Sequence, residues 1–287
     1  AGATTVTIDH VDHETLGPAI RFHDNGPGLK DLQSLFTLGQ SAWNGATIVA
    51  EDAAGMGFFS LAGRTIQLIA QKAGTHQSWR LDVEPAAFRG EKPILCANGP
   101  DGHTGTTIYI ETKLNENLVA AANHAALFCP IEVVIEGVVA ERKDFLQNAD
   151  HIDNWNGIRI GLYENSPTAF RNKGNVNFYG VTLQAQLPSL TQNYHRAYYA
   201  RLDVTDCAQL KLVLPARKEI VADAFFTKLQ THIQKLMFWH IACNGRHSLS
   251  FSSWSKAEEL GVGLPPAAML LRPFPQPMLT AIKTTTQ

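Results

Sequence analysis

Short runs in which apolar and polar residues alternate mark the first half of the chain. Val6 and Ile8 alternate with Thr5 and Thr7, which predicts a strand, because successive strand side chains leave on opposite faces. Ala19-Ile20-Arg21-Phe22-His23 repeats the pattern and predicts a half-buried strand that stops at Asp24. The polar turn between the two runs makes them adjacent and antiparallel in the simplest arrangement. Strands are also predicted within 64–72 (Ile66, Leu68, Ala70) and within 77–84 (Trp79, Leu81, Val83), joined at Gly74. Two more follow at Ile108–Glu111 and Ile131–Ile135, the latter with a hairpin at Glu136-Gly137. Leu32, Leu35 and Phe36 recur at helical spacing, and Phe58, Phe59, Leu61 and Ala62 read as the buried face of a helix start. The Ala-rich stretch 115–128 predicts a helix stopped by Pro130.

After Arg142 the composition shifts through His151-Ile152-Asp153-Asn154-Trp155-Asn156-Gly157, a boundary without the Gly/Ser bias of a free linker. Strand-like runs follow at 158–163, 176–187, 197–204 and 211–214. A helix is predicted from Phe225 to Ala242, with Phe226, Leu229, Ile233, Leu236 and Met237 on one face. Five prolines punctuate the stretch from Pro265 to Pro277. The expected division is 1–140, 141–245 and a Pro-rich appendage at 246–287. The order of elements predicts an α/β fold of the α+β kind, a two-layer sandwich with a mixed sheet and helices on one face.

The length of 287 residues, 45% hydrophobic and 17% charged, supports a sizeable core and more than one domain. A net charge of -2 gives no reason to expect a whole-surface nucleic-acid footprint. Cys96, Cys129, Cys207 and Cys243 are far apart and form no CxxC. That argues against a zinc site or disulfide framework and for reduced thiols in a cytoplasmic protein. No apolar run is long enough to cross a bilayer.

Three glycine-bearing stretches carry the candidate chemistry. Asp24-Asn25-Gly26-Pro27-Gly28 places a carboxylate where a strand stops, beside glycines that permit close approach. Taken alone it is a tight turn. Gly55-Met56-Gly57-Phe58 precedes an apolar run, where free backbone N–H groups at a helix start suit a phosphate. Gly105-Thr106-Thr107 feeds a strand with two hydroxyls beside it. The stretch from Leu29 to Ala54 is long for a connection and rich in small polar residues, the composition of a lid.

In order and spacing, Asp24-x-Gly26-x-Gly28, Gly55-x-Gly57-Phe58 and Gly105-Thr106-Thr107 together resemble the GHKL or Bergerat-fold ATPase superfamily. Gyrase B, MutL-like proteins, large heat-shock chaperones and histidine kinases belong to it. Ala1-Gly2-Ala3-Thr4 is similar to the tail of the family's first motif, whose catalytic Glu and magnesium-binding Asn or Asp stand just upstream. The resemblance therefore implies a chain cut within that motif and, as it stands, defective in hydrolysis, with no metal ligand of its own. It implies ATP and Mg2+ as cofactors. Asp24 would accept from the adenine amino group, Gly26 and Gly28 would shape the pocket, and Thr107 would support it through Asp24 or a water. Gly55, Met56, Gly57 and Phe58 would form the lid hinge facing the phosphates.

The stretch 197–233 is similar to the transducer domain of MutL-like and gyrase-like members, in which a basic residue after Pro-Ala reaches the γ-phosphate. Arg217 and Lys218 stand at that place, one of the two being the sensor. The implied function is an ATP-dependent switch that closes a lid and pairs as a homodimer, acting on a protein or DNA client. The alternative is a nucleotide-binding or scaffold module without turnover. A non-nucleotide protein whose glycines are only turns is the third reading.

Overall fold

The computed structural model describes residues 2–37, 57–112, 117–165, 174–193, 196–213 and 217–267. The first sheet is built from β1 (Thr5–His13), β2 (Gly17–Asp24), β3 (Ile66–Gln71), β4 (Ser78–Val83), β5 (Leu95–Asn98), β6 (Thr106–Glu111), β7 (Glu132–Ile135) and β8 (Val138–Val139). Its order is β5-β4-β3-β6-β2-β1-β7-β8. All pairings are antiparallel except that of β1 with β7, which is parallel. The sheet is therefore mixed, as the order of elements predicts.

Register explains which face is buried. Ile135, Ile8, Phe22, Ile108, Leu68 and Leu81 are successive cross-strand partners and form one apolar row. Helix α3 (Leu118–Ala126) covers one half of this face, with Ala122 and Ala126 against Ile8, Ile20, Val133 and Ile135. Asn117 caps it, accepting from the Ala120 N–H. The other half is covered by the short helices α1 (Gln33–Phe36) and α2 (Pro85–Phe88) and by a 3-10 turn, Phe58–Leu61, packed on Ile66, Leu68 and Leu81. The helix start expected at Phe58 is this single 3-10 turn. The opposite face is polar and carries Asp9, Arg21, Tyr109, Gln67 and Asp82 in one row.

The second sheet holds β9 (His151–Trp155), β10 (Ile158–Asn165), β11 (Val176–Phe178), β12 (Val181–Leu183), β13 (Ser189–Asn193) and β14 (Arg196–Val204), ordered β12-β11-β14-β10-β9. β13 and β11 share one edge of β14, β13 along its first half and β11, in parallel, along its last residues. Helix α4 (Ala224–Cys243) lays Leu229, Ile233, Leu236 and Met237 against Ile158, Ile160, Leu162 and Leu202. Asp223 caps α4, its Oδ1 accepting from the Phe226 N–H at 2.8 Å.

Three expectations change here. The stretch 151–157 is the strand β9 and its turn into β10, within the second sheet. The run 176–187 is broken at Tyr179-Gly180, where both residues take positive φ, so it forms a hairpin of two short strands. Lys211–Val213 forms no strand; a single bridge, Leu212 to Ile220, closes a loop there. In the last stretch, α5 (Phe251–Glu259) packs Ala257 against Phe238 of α4 together with Val262.

Candidate functional site

The stop of β2 is where the sheet gathers the glycine motifs. Asp24 is the last residue of the strand, and its Oδ1 accepts the Gly26 N–H at 2.8 Å. That bond fixes the carboxylate's rotation and leaves acceptor capacity on a group with about four lone-pair sites. Asn25 then locks the turn to the start of β1. Its Oδ1 accepts the N–H groups of Thr4 and Thr5 at 2.8 and 3.0 Å, and its Nδ2 donates to Thr4 Oγ1 at 2.8 Å. Residues 2–5 therefore lie alongside the Asp24 turn, with Ala3 close to Gly26.

Two of the motif glycines have a steric reason to be glycine. Gly28 has φ +76, and a Cβ there would lie 2.3 Å from the Gln71 carbonyl oxygen at the end of β3. Gly105 has φ +67, and its Cβ would lie 1.8 Å from the carbonyl oxygen of Asp24. Only a residue without a side chain permits either approach. The Leu29 N–H donates to Gln71 O at 2.8 Å, and Gln71 N–H donates to Gly105 O at 2.9 Å. Gly26, Gly28 and Gly105 thus meet at one end of the sheet, around Asp24 and Gln71.

Thr107 does not share the face of Asp24. The β2–β6 register pairs Asp24 with Thr106 and His23 with Thr107. Adjacent strand residues point to opposite faces, so Thr106 stands beside Asp24 and Thr107 lies behind it. Thr107 Oγ1 is within hydrogen-bonding distance of His23 Nδ1 at 2.9 Å and His103 Nε2 at 3.3 Å. Burial, and then the neighbouring His23, hold the His103 imidazole below its usual range, against a backbone hydrogen bond to Ile69. Thr107 is a buried polar link between strands, and Thr106 is the hydroxyl on the site face. The parity was present in the sequence, since Thr106 alternates with the apolar Ile108 and Ile110.

Next to Thr106 the helix-covered face opens into a cavity of about 400 Å³, bordered by Phe22, Leu29, Leu35, Phe58, Leu68 and Ile108. Its walls are almost wholly apolar, and the Asp24 turn stands one row further along the sheet. Phe58 belongs to this wall, with its ring edge-on to Phe36 at 5.1 Å and tilted on Phe88 at 5.5 Å. Gly57 has helical dihedrals, and among the described residues no atom lies within 4 Å of its Cβ position. Gly55, Met56 and residues 38–54 of the expected lid lie outside the described residues.

Arg217 and Lys218 stand elsewhere, in the loop closed by the Leu212–Ile220 bridge. Arg217 takes φ 52, and its N–H donates to Val213 O at 2.9 Å. Asn25, Gln71 and Thr106 also border the Asp24 turn, and the sequence reading does not single them out. Among the described residues, no group of three or more His, Cys, Asp or Glu side chains is arranged to hold a metal ion.

No family model and no curated protein matches the sequence. Solved structures do. The ATPase region of Saccharomyces cerevisiae topoisomerase II is similar over 76% of this chain and 71% of its own, with a TM-score of 0.50 and 10% identity. A structure of the same region bound to ICRF-187 (dexrazoxane) covers the same shares, with a TM-score of 0.48 and 8% identity. The fold is that of the GHKL, or Bergerat, ATPases.

Proposed function

We propose that this chain is the nucleotide-binding and relay portion of an ATP-dependent conformational switch. One observation carries the reading: a rotationally fixed carboxylate, Asp24, stands beside the Thr106 hydroxyl at the end of a sheet and next to an apolar cavity. A purine base needs this combination, apolar walls for its faces and a few placed polar groups for its edge. Asp24 is an acceptor and pairs with the 6-amino group of adenine. Guanine presents an acceptor at that position and is disfavoured. Thr106 donates or accepts beside it.

The other roles belong to the same proposal. Gly57 and the residues before it carry the lid hinge, and one of Arg217 and Lys218 meets the γ-phosphate. A basic group brought to that phosphate from the second sheet's side would favour the closed state only when ATP is bound. Mg2+ would accompany the nucleotide; among the described residues no group of three or more His, Cys, Asp or Glu is arranged to hold it. Pairing as a homodimer, a protein or DNA client and a cytoplasmic location complete the reading. Among the described residues no helix is long and apolar enough to cross a membrane, and the four cysteines are free.

Equilibrium competition of ATP and GTP against a fluorescent adenine nucleotide tests the proposal. Displacement by ATP at concentrations at least tenfold below GTP is expected. Equal competition, or no binding of the probe, contradicts adenine recognition.

A further inference from the structure

Two buried polar groups outside the proposed nucleotide site, Asn177 and Asp203, lie on the second sheet, where it meets the first. Asn177, Asp203 and Arg159 are cross-strand partners on β11, β14 and β10, so their side chains share one face. Asn177 and Asp203 are almost fully buried, at 6% and 7% exposure. Asp203 accepts from Asn177 Nδ2 at 2.8 Å through one oxygen and from Arg159 at 2.8 Å through the other. A buried carboxylate is costly unless it is paired and its lone pairs are met, and here both oxygens are met.

Two bonds of this row leave the sheet. Asn177 Nδ2 also reaches the Phe128 carbonyl oxygen at 3.4 Å, just past the end of α3. Arg159 grips Asp144 of the connector with both terminal nitrogens, at 3.1 and 3.2 Å. That paired contact holds the Asp144 carboxyl below the usual carboxylate range. The same seam is closed by packing. Phe128 is edge-on to Phe145 at 5.0 Å, and Lys143 N–H donates to Leu127 O at 2.9 Å. Gly180 takes φ +95, and a Cβ there would lie 3.2 Å from Pro130. The Asn177 Oδ1 accepts the Gly180 N–H at 3.1 Å and holds that turn in place. Beside the row lies an open polar cleft of about 400 Å³, bordered by Arg142, Tyr179 and Thr205 among others, so this seam has room to change angle on one side.

We propose that Asn177, Asp203 and Arg159 form the joint that sets the angle between the two sheets. The row is satisfied within the second sheet, yet its outward bonds seize the end of α3 and the connector. α3 in turn packs on Ile20 of β2, the strand that ends in Asp24. A displacement at the Asp24 end therefore has a packed route to the second sheet through α3 and Asn177. The joint itself stands on these contacts alone; what it transmits rests on the ATP-binding reading.

The exposed cysteines Cys96 on β5 and Cys243 at the end of α4 provide one probe on each sheet. Spin labels on both, in a Cys129→Ser background, report the distance between the sheets by pulsed electron paramagnetic resonance, without nucleotide. A narrow distribution is expected, widening at least twofold in Asn177→Ala and in Asp203→Asn while near-ultraviolet circular dichroism stays folded. An unchanged width in a folded variant overturns the joint. If both variants unfold, Asp144→Asn, at the half-exposed connector end, decides: widening supports the joint and an unchanged width overturns it. Adding ATP to the same labelled protein separates the two readings. An indifferent distance in a protein that passes the first test leaves the joint standing and counts against the switch.

Discussion

Asp24 and Thr106 are register partners across β2 and β6, so both side chains leave the sheet on its helix-covered face. Thr107, one residue on, is turned to the other face and is engaged with His23 and His103. Two adjacent hydroxyls of the same kind therefore stand on opposite faces, Thr106 beside Asp24 and Thr107 against the two histidines.

Replacing each by Val separates them. Thr106→Val should weaken ATP binding about twofold to twelvefold, the loss of one hydrogen bond worth about 0.5–1.5 kcal/mol, with little change in melting temperature. Thr107→Val leaves the two half-buried imidazoles of His23 and His103 without a shared partner and should cost about 0.5–1.5 kcal/mol of folding stability. Calorimetry and denaturant titration on both variants check this. A reversed pattern would move the site to the other face.

Gly105→Ala should destabilise the fold by about 2 kcal/mol or more, because it combines a left-handed backbone with a clash against the Asp24 carbonyl. Gly57→Ala is the matched contrast. Its dihedrals are helical and no described atom lies within 4 Å of its Cβ position, so stability should hold or rise by about 0.4–1 kcal/mol. Urea unfolding of the two variants reads the difference.

Much of this architecture is legible in the chain because one face of each strand must be apolar. Ile8, Phe22, Leu68, Leu81 and Ile108 announce their strands by alternation and then meet in one row. β5 is silent because Leu95–Asn98 is an exposed edge strand with no buried face to impose a pattern. The run 211–214 is apolar enough for a strand, yet Leu212 makes an isolated bridge to Ile220 and the Val213 N–H donates to Glu219 O, and Leu214 lies outside the described residues. Gly26, Gly28 and Gly105, far apart in the chain, meet at one end of the first sheet. Choosing between Thr106 and Thr107 needed the register, since a shift of one residue changes the face.

His103 adds a pH dependence. The folded protein holds its imidazole below the ordinary value of 6.5, chiefly through burial. As pH falls, the unfolded chain takes up this proton first, so stability is fully present above about pH 6.5 and declines below it. Melting temperature between pH 7.5 and 5.5 should fall more steeply in the parent than in His103→Gln. Parallel curves would show that His103 is not a source of the dependence.

The N-cap of α4 has its own measurable weight. Asp223→Ala removes the acceptor of the Phe226 N–H and should cost about 1 kcal/mol. Asp223→Ser should recover most of it. Thermal unfolding of both variants checks the assignment, and equal losses would contradict a capping role.

The central claim is that Asp24 recognises adenine, and isothermal calorimetry of ATP binding to the protein and its Asp24→Asn variant tests it most directly. The amide that replaces the carboxylate turns an acceptor into a group with a donor end. A weakening of about 1–3 kcal/mol, or roughly fivefold to 150-fold in Kd, is predicted from the loss of a hydrogen bond to a charged group. Equal affinity of the two proteins for ATP would contradict the account.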